Sequence, residues 1–101
     1  MKKRILWTPV ALKSLQEVQE FLLKHWNEEI LKTFLDLIDF KISQLKENSK
    51  LGKIVIKERS YRRLVVHKNI TLFYSIETDI IKILLIWDNR QDPTKLLDTL
   101  S

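Results

Sequence analysis

The side chains of this chain best suited to chemistry are its cations. Lys53, Lys57, Arg59, Arg62, Arg63 and Lys68 fall between positions 53 and 68, where Glu58 is the one opposing charge. Ammonium and guanidinium groups in such a run bind phosphates or carboxylates, so the stretch is a candidate nucleic-acid-binding or protein-binding surface. The competing reading is an edge strand kept soluble by charge, but solubility alone does not require so one-sided a run. On an extended chain Arg62 and Arg63 point to opposite faces, so at most one of them lines a sheet-face site beside Leu64. The apolar run that follows leaves open which one. His67 is the histidine placed to shuttle a proton near neutrality, although a solvated histidine in a hairpin turn fits the same position. His25 falls at the end of a helical stretch, where it complements the helix dipole. Trp7, Trp26 and Trp87 are possible stacking platforms for bases, but each sits in the apolar phase of its segment and reads as core or core edge. The sequence holds no metal-ligand cluster, glycine-rich phosphate loop or nucleophile–His–acid set, so no metal or cofactor is expected.

Composition narrows the setting. A chain of 101 residues suits one domain, and 45% hydrophobic residues suit a folded one. The absence of cysteine excludes a disulfide scaffold and fits a reducing cytoplasm. Met1-Lys2-Lys3-Arg4-Ile5-Leu6-Trp7 starts like a signal peptide, but Pro9, Lys13 and Gln16 interrupt it and no small-residue cleavage site follows. No apolar run reaches membrane-spanning length. The protein is therefore expected inside the cell. Its net charge of +5 favours nucleic acid, ribosome or an acidic protein segment without choosing among them.

These residues need elements to hold them. Lys3 to Trp7 reads as a first strand. Thr8 is then an N-cap with Pro9 at the first helical position, where its missing N–H does no harm. Ala11, Leu15, Val18, Leu22 and Trp26 mark a buried stripe on a helix running to about Trp26. Asn27 caps a second helix, and Glu28 and Glu29 suit its first turn. Ile30, Phe34, Leu37, Leu45 and either Ile38 or Ile42 form its stripe, and Asn48 to Gly52 ends it. So short a link makes the helices an antiparallel hairpin. Tyr61–Val66, Ile70–Ile76 and Ile80–Trp87 are rich in β-branched and aromatic residues and read as an antiparallel meander, with turns at 67–69 and 77–79. A further short strand at Lys53–Ile56 fits. Asp92-Pro93 opens a short C-terminal helix through Leu96, Leu97 and Leu100. The expected fold is α+β: an N-terminal strand and a helix hairpin packed on a three- to four-stranded antiparallel sheet, then a short helix.

In that order several strings are similar to the RelE/ParE toxin superfamily. Trp7-Thr8-Pro9-Val10-Ala11 followed by Leu15 resembles the family's opening, and Tyr61-Arg62-Arg63-Leu64-Val65-Val66 its basic strand. Ile70 to Ile76 resembles the next strand, with an apolar pair ending in Tyr74. Ile83 to Pro93 resembles the last strand and its exit, where Arg90 precedes the Asp-Pro step. The resemblance implies a growth-inhibiting toxin of a type II toxin–antitoxin system, held in check by a co-encoded antitoxin. Members of the superfamily either cleave messenger RNA on the ribosome, as RelE-like toxins do, or inhibit DNA gyrase, as ParE-like toxins do.

Under the nuclease reading the catalytic candidates are Lys57, Arg62, Arg63, Arg90 and His67. The resemblance gives Arg90 the position of an arginine that stabilises the transition-state phosphate; a structural pairing with Asp88 or Asp92 is its alternative. RelE-like enzymes often carry an arginine shortly before the apolar-Tyr pair, where this chain has Ile70 and Thr71. They also often carry a C-terminal Tyr or His, whereas Lys95 to Ser101 holds neither. A ParE-like inhibitor needs no such set. A third possibility is an inactive toxin-fold module that keeps only antitoxin recognition. In every case the expected antitoxin lays an extended, acidic-amphipathic segment over the helix hairpin or the basic strands and folds as it binds.

Overall fold

The computed structural model describes residues 3–100. Met1, Lys2 and Ser101, the first two of which open the expected charged start, lie outside them. The order is β1 (Arg4–Trp7), α1 (Pro9–His25), α2 (Glu28–Glu47), β2 (Lys53–Ile56), a single 3₁₀ turn (Lys57–Arg59), β3 (Tyr61–His67), β4 (Ile70–Ile76), β5 (Ile80–Asp88) and α3 (Pro93–Leu100). The caps fall where their chemistry places them. Thr8 Oγ1 accepts from the Ala11 N–H at 3.1 Å, with Pro9 next in the first turn, and Asn27 Oδ1 accepts from the Ile30 N–H at 2.9 Å. Asp92 Oδ1 accepts from the Thr94 N–H at 3.0 Å and so starts α3.

The sheet has five strands in the order β1-β5-β4-β3-β2. β2 to β5 form the antiparallel meander, extended by the short β2. β1 joins it as a fifth strand, parallel to β5, with Arg4 opposite Ile80 and Trp7 opposite Ile83. The sheet is therefore mixed rather than purely antiparallel. The helix hairpin carries the chain from β1 across to β2 at the opposite edge and the meander returns it to β5, a long connection of the kind that strands running the same way require.

Two apolar layers sandwich the sheet. On one face Ala11, Phe34, Ile38, Ile42 and Leu45 of the hairpin pack onto Leu72, Tyr74, Ile81, Ile83 and Ile86, with Leu15, Val18 and Leu22 at the margin. Both Ile38 and Ile42 belong to the stripe, because a helix facing a sheet buries a stripe wider than one row. On the other face Leu96 and Leu100 of α3 cover Phe73, Leu85 and Trp87. A strand with both faces covered is apolar throughout, which is the pattern of Ile80 to Trp87. A bulge helps: Phe73 pairs with Leu85 and Tyr74 with Ile83, so Leu84 is an extra residue and both leucines turn toward α3.

Trp26 departs from the expected stripe. It follows the last helical residue of α1, its backbone has left the helical region (φ −130°, ψ −116°), and 63% of its surface is exposed. The helical phase that would have turned it inward ends one residue too early.

Candidate partner-binding site

The basic run is divided by the fold. β3 alternates as expected, so Arg62, Leu64 and Val66 face the hairpin while Arg63 and Val65 face the opposite side. Arg62 is committed to structure. Its Nη1 donates to the Gly52 carbonyl at 2.7 Å and the Lys50 carbonyl at 3.4 Å. Beside it the fully buried Tyr74 hydroxyl donates to the Ser49 carbonyl and accepts from the Gly52 N–H, both at 2.8 Å. Together they clasp the α2–β2 loop onto the sheet. Burial pushes the Tyr74 pKa up, against the Gly52 hydrogen bond and the nearby Arg62 charge, so the phenol stays neutral there. The clasp also explains the one glycine. A Cβ at position 52 would lie 2.4 Å from the Arg63 carbonyl oxygen and 2.8 Å from the Tyr74 ring.

Arg63 stands across from Lys53 on the other face. Lys57 and Arg59 belong to the 3₁₀ turn, which ends at Ser60 in the left-handed region (φ 55°). Arg59 lies 5.9 Å from the Tyr61 ring centre and donates to the Leu100 carbonyl at 3.4 Å, tying that turn to the end of α3. His67 ends β3 and Lys68 begins the turn beyond it, at the opposite end of the strand from Tyr61.

Arg90 is held in a bidentate pair by Asp88, with Nε–Oδ1 at 2.9 Å and Nη2–Oδ2 at 2.6 Å. This is the structural pairing that stood as its alternative reading. The Arg90 side-chain hydrogen bonds keep the Asp88 carboxyl below the usual carboxylate range and raise the arginine in turn. Its guanidinium lies 5.6 Å from the centre of the Phe21 ring, so it bridges the exit of β5 to α1.

The fold thus does not gather the five nuclease candidates. It places Arg62 on the helix face, Arg63 on the other and Lys57 in the 3₁₀ turn, while His67, at the far end of β3, and Arg90, beyond β5, both come to the rim of one groove. Among the described residues no group of acidic, His or Cys side chains could hold a metal ion. No helix among the described residues is long and apolar enough to cross a membrane.

What the fold builds instead is an open apolar groove of about 830 Å³ beside β5. Val10 and Phe21 of α1, with Trp26 and Ile30 at the hairpin tip, form one wall, and Leu85, Ile86 and Trp87 form its base. Lys13, Glu17, His67, Asp88, Arg90 and Lys95 stand around it. The groove exists because β1 pairs with β5 only as far as Ile83. Beyond that point α1 takes over the edge: the Thr8 N–H and hydroxyl both reach the Ile83 carbonyl, and Ser14 Oγ accepts from the Ile86 N–H at 2.9 Å. This wall lies outside the core stripe of α1. Its trace in the sequence is the second row Val10, Glu17, Phe21, offset by one residue from the core row.

The family model describing the ParE toxin of type II toxin–antitoxin system parDE matches residues 5–93. This chain is a member of the ParE toxin family. No curated protein matches it in sequence. Among solved structures, the chromosomal ParDE system from P. aeruginosa superposes with a TM-score of 0.73 at 17% identity, covering 86% of this chain and 96% of that one. A copper-bound mutant toxin from Helicobacter pylori superposes at 0.56 and 11% identity, covering 87% and 96%. At such identities the structures bear out the α+β toxin fold, and the family match carries the membership.

Proposed function

We propose that this ParE-family chain is a growth-inhibiting toxin that acts by binding DNA gyrase, performs no chemistry of its own, and is neutralised by a co-encoded antitoxin. The observation that carries the reading is the dispersal of the cations. Cleavage by the RNA 2′-hydroxyl needs a base, an acid and a cation around one phosphate. Here Arg62 holds a loop, Arg90 is paired with Asp88, and Arg63 looks away from both. A binding inhibitor loses nothing by that arrangement.

The antitoxin takes the groove. An amphipathic segment would bury its apolar side on Val10, Phe21, Trp26 and Ile30 and set its acids against Lys13, Arg90 and Lys95. The purified chain should block supercoiling by gyrase and leave ribosome-bound message uncut. Supercoiling that continues in excess toxin removes the gyrase reading. Message cleaved at defined codons would replace it with the RelE-like one, and expression without growth arrest with an inactive module.

A further inference from the structure

A second surface lies at the other end of the sheet from the groove. β2 is an edge strand that pairs only with β3, so one whole side of its backbone is open. Its composition, Lys-Ile-Val-Ile, is that of a buried strand, yet Ile54 is 50% exposed and Val55 40% exposed. Consecutive residues on a strand point to opposite faces, so β2 is bare above and below as well as along its edge. Leu51, just before it, is exposed too, and only Ile56 reaches the second core layer. An apolar, β-branched, open edge is a template for another strand, and proteins normally blunt or cover such edges. The β1 edge differs, since Ile5 and Trp7 pack into the core.

Charge decides what covers it. Lys50, Lys53 and Lys57 flank the strand and Arg63 stands beside Lys53, with Glu58 the one acid from Lys50 to Lys68. A second copy of this chain would bring the same cations against these. A phosphate backbone would suit the charges but leave Ile54 and Val55 uncovered. An extended peptide with alternating acidic and apolar side chains satisfies the backbone, the apolar pair and the lysines together.

We infer that the free edge of β2 receives an extended acidic segment of the antitoxin as a sixth strand, separate from the segment that fills the groove. The inference rests on the toxin–antitoxin reading above. An antitoxin engaging both ends of the sheet gains from effective concentration, so each contact alone can be weak.

The test uses the complex of this chain with the full-length product of the adjacent reading frame. Hydrogen exchange of the Lys53–Ile56 amides should slow at least tenfold on binding, and Lys53→Glu with Lys57→Glu should weaken the complex at least tenfold while leaving the melting temperature of the free chain in place. Ile54→Lys, equally exposed, supplies an independent apolar readout and should weaken binding as well. A complex whose β2 amides exchange as in the free chain, and which tolerates these changes, overturns the edge proposal but leaves the antitoxin reading standing. If no complex forms, both fall. Protection of β2 in the free chain that grows with its concentration would give the edge to a second copy, and protection by single-stranded RNA alone would give it to nucleic acid; either result overturns the inference.

Discussion

Tyr74→Phe is the most informative single change in this molecule. It removes one oxygen and keeps the ring that fills the core. That oxygen serves two backbone groups, the Gly52 N–H and the Ser49 carbonyl, each at 2.8 Å. The Gly52 bond is buried, so its N–H would be left without water or protein partner, at a cost of about 1–3 kcal/mol. The Ser49 carbonyl is only partly buried and recovers some hydration, adding a few tenths to about 1 kcal/mol. A loss of about 2–3 kcal/mol is a large share of the total stability of a small domain and lowers its Tm by roughly 10 °C or more. Urea and thermal unfolding measure it, with the urea m-value unchanged because the exposed surface is the same. Arg62→Met should destabilise as well, and the double variant should lose less than the two singles combined, since both act on Gly52. A Tyr74→Phe loss below about 0.5 kcal/mol would refute the clasp. So would an Arg62→Met protein of unchanged Tm and lost toxicity, which would return Arg62 to the partner-binding or catalytic surface.

The other expectations follow from the same geometry. Gly52→Ala should cost about 3 kcal/mol or more, because the clash is with backbone, and soluble yield and Tm report it. Trp26→Ala should change free-chain stability by less than about 1 kcal/mol yet weaken antitoxin binding by about 2 kcal/mol, roughly thirtyfold, in titration calorimetry; equal affinity would remove the tryptophan from the interface. Arg90→Ala should leave toxicity within a fewfold of the parent, and a complete loss in growth assays would restore an active role for it. Asp88 has a folded pKa below its unfolded value, so its contribution is whole above about pH 4 and disappears as acid carries it through the lower folded value. The stability gap between parent and Asp88→Asn, measured in urea, should therefore be present at pH 6 and close below pH 4.

The elements were readable because their signals are local. Thr8-Pro9, Asn27-Glu28-Glu29 and Asp92-Pro93 announce helix starts by capping chemistry, and the β-branched runs announce β3, β4 and β5. The parallel pairing of β1 was not readable, because nothing in Arg4 to Trp7 encodes a partner beginning at Ile80. The roles of the cations depended on contacts. Arg62 and Arg63 look alike in sequence, and one residue of strand alternation sends the first to a loop carbonyl and the second to the opposite face. Trp26 looked like core because helical phase was carried past the point where α1 stops. The groove was hidden for a related reason: it is the space left where β1 ends and β5 continues.

That pairing of the first strand with the fifth also governs when the protein becomes complete. Arg4 meets Ile80, so the sheet closes only after almost the entire chain has been synthesised. Until then the hairpin has no fifth strand to lean on, and the groove wall formed by Val10 and Phe21 faces no floor. A nascent chain therefore has no groove until Ile80–Asp88 has been made. The groove arises late and all at once, when the last strand slides in beside the first.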